Sequence, residues 1–246
     1  MVKGKTVEWN TEGILENLRD HLKEQRPITL YNTYRGVPIT YEAEVAMVHP
    51  AGYVGLIVHP YQAVCIKHER RTYLESKTIP ELVRAYPVSI DYTNQVVLLK
   101  RLKIPRKISV DLDNSWVSPD APVEVEMDLD LGVELTGKLL ELAVLAENVT
   151  RVVVEVSEDV PYAREDEIEL TFKLPKSGEL VQVQGVVYSL TKVRNQEKKR
   201  LEVDGKAAMQ DEISILAYIA RREDEIMGAL DKEYQKLRKV KRHRKK

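Results

Sequence analysis

The chain has 246 residues, of which 43% are hydrophobic and 31% are charged, which is enough to form two modest domains with apolar cores. No apolar run approaches the ~20 residues that a membrane helix needs, and the first residues lack the apolar segment of a secretory signal. The single cysteine, Cys65, excludes an internal disulfide framework and fits a reducing compartment. We therefore expect a cytoplasmic protein without a membrane span.

The formal net charge of −1 is unevenly distributed along the chain. The last twelve residues, QKLRKVKRHRKK, contain lysine and arginine but no acid, so the rest of the chain is acidic. An acidic body argues against a protein that binds nucleic acid with its folded surface. The basic tail is typical of a solvated chain end, although it also suits contact with RNA or anionic lipid.

The first third of the chain predicts a helix followed by short strands. Leucine and isoleucine recur at helical spacing over residues 11–25, with Thr11 as the expected cap. Short segments at roughly ten-residue spacing then predict a small antiparallel barrel or sandwich. These segments are ITLYNT, PITYEAEVAMV, YVGLIVH, QAVCIKH, RTYLES, AYPVSIDY and QVVLL.

A second set of strand patterns begins after Arg106 and predicts a second barrel. Its segments are KISVDL, VEVEMDL, VELTGKLLELAVL, VTRVVVEV, DEIELTFKL, LVQVQGVVYSLTKV and KRLEVDG. The predicted fold is therefore mainly β, with two small antiparallel β-barrels joined by a basic linker. An N-terminal helix precedes the barrels and a long amphipathic helix follows them.

The C-terminal helix is predicted over Asp211–Leu237 from its apolar spacing. Its front half is expected to pack on the second barrel. In its back half, Ile226, Leu230, Tyr234 and Leu237 form a stripe beyond what one barrel covers. That stripe predicts pairing with a partner protein or with a second copy of the chain.

Motifs for catalysis are sparse. We interpret Cys65 as a buried structural residue and His68 as a surface residue rather than as a nucleophile and its base. His49 and His59, like His68, lack the carboxylate pattern that accompanies metal-bound histidine. The sequence contains no glycine-rich phosphate loop, no GxSxG and no HExxH. We expect a protein without enzyme activity, cofactor or bound metal.

A basic segment between the two predicted barrels is the strongest candidate for a binding site. Five cations fall within eight residues of an acidic protein: Lys100, Arg101, Lys103, Arg106 and Lys107. Arginine binds phosphate or the N7/O6 edge of guanine with two parallel hydrogen bonds, and it also stacks on purines. The segment therefore suits a phosphorylated purine ligand, and the alternative is a solvated interdomain linker.

The second half of the chain resembles a PilZ domain, the bacterial receptor module for cyclic di-GMP. RLKIPR (101–106) resembles the RRxxxR linker of that family, and GKLLELAVLA (137–146) stands at its [D/N]x[S/A]xxG motif. IELTFKLPKSGELVQVQGVVYSL is similar to a later hairpin, and KRLEVDGKAAMQDEISILAYI to the last strand and the start of the helix. The resemblance covers about residues 98–222.

The N-terminal part is similar to the small β-rich domain that precedes PilZ in flagellar-brake-type proteins. TLYNTYRGVPITYEAEV and VHPYQAVCIKHERRTYLES carry this resemblance. It implies an N-terminal domain over residues 1–99, a PilZ-like barrel over 100–222, and a helix extension with the basic tail over 223–246.

The resemblance implies a receptor in which cyclic di-GMP binds between the barrels and changes their relative pose. A protein partner in motility, pilus or exopolysaccharide control would respond to this change. The implied ligand-binding residues are Arg101, Lys103, Arg106, Lys107, Glu141, Ala143 and Ala146.

The chain departs from the family motifs at named positions. Leu102 occupies the position four residues before Arg106, and Arg101 lies one residue further back. Glu141 replaces the aspartate or asparagine of the second motif, and Ala146 replaces its glycine.

Two alternatives to a cyclic di-GMP receptor stay open. The first is a degenerate PilZ module that serves as an interaction or oligomerisation scaffold without binding cyclic di-GMP. The second is a nucleic-acid-binding barrel that uses the basic tail. Phe172 is the one phenylalanine of the chain, which disfavours the second alternative because single-strand binders offer stacking aromatics.

Overall fold

The computed structural model describes residues 10–108, 111–129, 133–145, 148–194 and 196–243. Within these residues the chain forms three helices and twelve strands. The helices are α1 (Thr11–Glu24), α2 (Pro60–Glu69) and α3 (Met209–His243). The strands are β1 (Ile28–Tyr34), β2 (Val37–His49), β3 (Tyr53–Ile57), β4 (Thr72–Ser76), β5 (Ile79–Asp91), β6 (Val96–Lys103), β7 (Glu124–Leu129), β8 (Val133–Val144), β9 (Thr150–Ser157), β10 (Glu167–Lys173), β11 (Leu180–Lys192) and β12 (Lys198–Ala207).

The strands close into two six-stranded barrels, which confirms the predicted fold class. The first barrel has the strand order β1-β2-β3-β6-β5-β4, and the second has the order β10-β11-β12-β9-β8-β7. The strand pairs for which a register is defined are antiparallel throughout. Closing each sheet on itself pairs each of the twelve described strands on both sides.

The chain divides into two compact units. The first comprises Met1–Tyr34, Pro38–Asp113 and Met227–Lys246, and the second comprises Arg35–Val37 and Asn114–Ile226. The described residues at the end of β6 and the part of α3 from Met227 onwards thus belong to the first unit.

The N-cap of helix α1 lies one residue before the predicted cap, Thr11. Asn10 is the N-cap, and its side chain accepts a hydrogen bond from the Gly13 amide at 2.9 Å. Thr11, the predicted cap, instead donates its hydroxyl to the Leu102 carbonyl of β6 at 3.3 Å. The helix buries Ile14, Leu15, Leu18 and His21, so its predicted apolar stripe does face the core.

The segment QAVCIKH is a helix, and its prediction as a strand is wrong. Pro60 occupies the first turn of α2, and the His59 side chain caps the helix by accepting from the Tyr61 amide. Residues 62–66 are all buried. A short segment that is buried on every side has no helical periodicity, so its apolar run has the appearance of a buried strand.

The prediction of a strand at KISVDL also fails for its described part. Lys107, Ile108, Asp111 and Leu112 lie outside the strands, and residues 109 and 110 lie outside the described residues. The other six strand predictions for the second barrel correspond to β7–β12.

Helix α3 buries apolar residues in both of its halves. In its front half Ile215, Tyr218 and Ile219 are buried, whereas Met209, Ile213 and Leu216 are exposed, by 80%, 53% and 45%. In its back half Leu230 is fully buried and Tyr234 is 6% exposed. The apolar stripe that was expected to await a partner is therefore largely covered within the chain. No described helix is long and apolar enough to cross a membrane.

Polar contacts also hold the back half of α3 on the first unit. Glu233 accepts a hydrogen bond from the Tyr34 hydroxyl at 2.9 Å and one from His68 Nε2 at 2.7 Å. Burial raises the pKa of Glu233, but these hydrogen bonds and the positive charges of His68 and Lys67 outweigh it, so the pKa lies below its ordinary value. A carboxyl with a lowered pKa stabilises the folded state above its unfolded pKa, and the contribution disappears as the pH falls through the folded value.

We expect Glu233→Gln to reduce the free energy of unfolding at neutral pH by about 1–2 kcal/mol, because charge-assisted hydrogen bonds are lost. The difference from the wild type should shrink as the pH falls through the lowered pKa of Glu233, because the wild-type carboxyl then becomes protonated. Urea unfolding at neutral and acidic pH measures this difference. Glu81→Gln, an exposed glutamate on β5 of the same unit, is the control. An equal loss at both pH values would contradict the role of the Glu233 charge.

Candidate ligand site

Arg101 and Lys103 lie at the end of β6 in the first unit, at a β-bulge. Lys100 lies opposite Tyr86 and Lys103 lies opposite Arg84, so β6 has one residue more than β5 between these two pairs. A bulge of this kind bends a strand and changes the direction of its side chains.

The backbone of Arg101 is in the left-handed region, with φ = 56°. This conformation costs a non-glycine residue about 1 kcal/mol. It allows the next side chain, Leu102, to enter the core, where it is 1% exposed, while Arg101 and Lys103 stay exposed. The bulge thus presents two cations to solvent from the end of a regular strand.

Arg106 and Lys107 follow the end of β6 and are also exposed. Among the described residues, none forms an ion pair or a side-chain hydrogen bond with Arg101, Lys103, Arg106 or Lys107. In contrast, many other cations in the described part of the chain are bound to carboxylates. Within the described residues, the four predicted cations therefore form no ion pair with a carboxylate. A site for an anionic ligand requires cations of this kind.

A cleft of about 430 Å³ lies beside the bulge. It is lined by Thr11, Tyr86, Arg101, Leu102 and Lys103. Tyr86 is half-buried, and sequence reasoning did not identify it. The cleft therefore combines an aromatic side chain with two cations, which are the groups that bind purines and phosphates.

The predicted second motif lies on β8 in the second unit. Glu141 follows a bulge in β8, and its carboxylate accepts a hydrogen bond from Arg200 Nη2 at 2.5 Å. Arg200 also donates to Glu202 at 3.3 Å. Glu141 is thus held by an arginine of β12 that the sequence analysis did not single out. A guanine edge would have to share or replace this contact.

Ala143 is fully buried and lies opposite Arg151 of β9. The neighbouring Leu142 exchanges both of its backbone hydrogen bonds with Val117. Since backbone groups alternate in direction along a strand, those of Ala143 are directed towards β9. Ala146 lies outside the described residues.

The histidine and cysteine candidates have structural surroundings. Burial raises the pKa of the Cys65 thiol, which keeps it protonated and unreactive. His59 caps α2 and stacks on Tyr41 with ring centroids 3.7 Å apart, and burial lowers its pKa. In the part of the chain that the structure covers, no group of three or more His, Cys, Asp or Glu side chains is arranged to hold a metal ion.

No family model and no curated protein matches the chain. Among solved structures, YcgR from Escherichia coli in complex with c-di-GMP is 16% identical, with 91% of this chain and 95% of YcgR covered and a TM-score of 0.40. The Bacillus subtilis inhibitor of motility, MotI/DgrA, is 12% identical, with coverages of 81% and 96% and a TM-score of 0.39. The Borreliella burgdorferi PlzA protein in complex with c-di-GMP is 10% identical, with coverages of 83% and 98% and a TM-score of 0.26. At these TM-scores the likenesses carry no argument about function, which is inferred from the residues of the chain itself.

Proposed function

We propose that this chain is a PilZ-type receptor for cyclic di-GMP that has no enzyme activity and acts on a protein partner. The observation that carries the proposal is the set of exposed cations at residues 101–107, which have no carboxylate partner among the described residues. An acidic protein that keeps such a group unpaired next to a cleft is suited to bind a doubly anionic nucleotide.

In this proposal each predicted residue has a role. Arg101 and Arg106 bind phosphate or the guanine edge through their paired N–H groups. Lys103 and Lys107 supply positive potential. Glu141, together with the Ala143–Ala146 segment, provides the second contact with a guanine base, and Arg200 must then yield part of its contact with Glu141.

Ligand binding at these cations favours the conformation in which they lie closest to the phosphates. The size of this shift is limited by the difference between the ligand's affinities for the two states. The partner then recognises the favoured state, and motility, pilus or exopolysaccharide control is the process that the family resemblance implies. As a receptor for an intracellular messenger, the protein would act in the cytoplasm.

A comparison of two cyclic dinucleotides tests the ligand assignment. Guanine presents two acceptors, O6 and N7, to an arginine, whereas adenine presents an acceptor and a donor. We expect cyclic di-GMP to bind at least about 10-fold more tightly than cyclic di-AMP, since one mismatched arginine contact is worth about 1–3 kcal/mol. Competition binding with the intact chain measures the ratio, and equal affinities would contradict guanine recognition.

A second candidate function is a scaffold that has lost the ligand. The contact between Glu141 and Arg200 favours this candidate, because it occupies a predicted ligand group. The exposed apolar residues Met209, Ile213 and Leu216 on one face of α3 would then serve a protein contact or a homo-oligomer. Partner capture by a chain that binds no cyclic di-GMP would favour the scaffold.

Nucleic-acid binding remains the less favoured alternative. Phe172 is 2% exposed and is not available for base stacking. Salt-dependent binding to RNA or DNA that persists without residues 236–246 would favour this alternative.

A further inference from the structure

The outer face of the first barrel contains a group of hydrogen-bond donors that we call the donor cluster: Arg71, Tyr73, Arg84 and Lys103. Tyr73 of β4 lies opposite Arg84 of β5, which lies opposite Lys103 of β6. Residues directly opposite each other in antiparallel strands share a face of the sheet. Arg71 joins this row because its Cζ lies 5.8 Å from the centroid of the Tyr73 ring.

Three donor atoms of this cluster are buried and have no hydrogen-bond partner among the residues that the structure describes: Arg71 Nε, Tyr73 Oη and Arg84 Nε. Arginine N–H groups can only donate. A buried donor without an acceptor costs free energy, and more so on a charged group. Three such atoms in one cross-strand row therefore indicate a missing acceptor.

The charges of the donor cluster also indicate that an anionic acceptor is missing. Arg84 and Lys103 are like charges directly opposite each other, an arrangement that destabilises a sheet. Among the described residues, none of the cations in the cluster has a carboxylate partner. Glu75 lies on the same strand as Tyr73, but its carboxylate accepts the hydrogen bond of the Tyr31 hydroxyl.

Two tyrosine rings hold the guanidinium groups in place. Arg71 lies over Tyr73, and the Arg84 Cζ lies 5.7 Å from the centroid of Tyr86. Tyr86 and Lys103 also line the cleft of about 430 Å³ beside the bulge of β6. One member of the donor cluster, Lys103, therefore borders a space in which a ligand can lie, and the ring that Arg84 contacts, Tyr86, borders it too.

We propose that the donor cluster is an oxyanion site that binds a phosphate group. The guanidinium groups of Arg71 and Arg84 are its main contacts. Tyr73 and Tyr86 are positioning residues that orient these guanidinium groups. Arginine forks suit the tetrahedral oxygens of phosphate, which accept two parallel hydrogen bonds. That the phosphate belongs to cyclic di-GMP rests on the proposed function, whereas the oxyanion site itself does not.

Inorganic pyrophosphate is a suitable probe for the site on the intact chain. We expect saturable binding that Arg84→Gln weakens by about 10-fold or more. Arg164→Gln is the matched control, because Arg164 is exposed on the second unit and makes the same change of charge. In the wild type, the Nε–Hε NMR signals of Arg71 and Arg84 should shift with pyrophosphate, a readout that does not depend on whether a variant folds.

The outcomes separate this inference from the proposed function. Equal pyrophosphate affinity in Arg84→Gln and Arg164→Gln, or unmoved Nε–Hε signals, would overturn the oxyanion site. Displacement of pyrophosphate by cyclic di-GMP supports the site and assigns it to the nucleotide's phosphate. Pyrophosphate binding without any cyclic di-GMP binding supports the site as one for free phosphate-type anions, and it rejects the receptor function.

Discussion

An Arg101→Gly/Arg106→Ala double variant is expected to lose at least about 100-fold in affinity for cyclic di-GMP. Each arginine contact with phosphate or guanine is worth about 1–3 kcal/mol, and the loss of two such contacts reaches that range. Glycine is the choice at residue 101 because φ there is 56°, a conformation in which glycine is unstrained. The fold should therefore tolerate the change while the cation is lost.

Calorimetric titration of the double variant beside the wild type measures this loss. Arg164→Ala removes an exposed arginine of the second unit and should bind as the wild type does. Thermal unfolding of all three proteins shows whether the barrels are intact. Affinity of the double variant within about 3-fold of the wild type would mean that these arginines do not hold the ligand.

Leu230→Ala is expected to lower the free energy of unfolding by about 2–5 kcal/mol, because truncation of a buried leucine removes apolar burial and leaves a cavity. Leu230 is 0% exposed and lies on the part of α3 that belongs to the first unit. Urea unfolding followed by circular dichroism measures the loss.

Leu216→Ala is the matched control for this prediction, since it makes the same change in the same helix. Leu216 is 45% exposed, and its truncation should change stability by no more than about 0.5 kcal/mol. If both variants lost equally little, the back half of α3 would be free for a partner after all, as its apolar periodicity first indicated.

Helix α3 shows which features of a helix its sequence predicts and which it does not. Periodicity located the helix, because apolar residues must share a face to be buried. It did not determine which part of that face the chain itself covers. The polar contacts of the back half come from residues far away in sequence, since Tyr34 and His68 form hydrogen bonds with Glu233.

Helix α2 was missed for a local reason. The segment has an apolar run of strand-like length, and its burial on all sides removes the helical period. Its start did carry a helix signal, since Pro60 follows a residue with a side-chain acceptor, His59. This signal was outweighed by the regular spacing of the strands on both sides.

The candidate site was predictable only in part. The basic segment is local in sequence, so its cations were found at once. The donor cluster was not found, because Arg71, Arg84 and Lys103 come together only through the pairing of β4 with β5 and of β5 with β6. The partner of Glu141 was missed for the same reason, since Arg200 is 59 residues away in sequence.

Calorimetric titration of the intact wild-type chain with cyclic di-GMP tests the receptor proposal most directly. We expect saturable heat with a dissociation constant below about 100 μM, or roughly −5.5 kcal/mol. The exposed arginines on either side of Pro105 would then hold the messenger despite the altered motifs. A flat titration at that concentration would contradict the proposal and favour the scaffold.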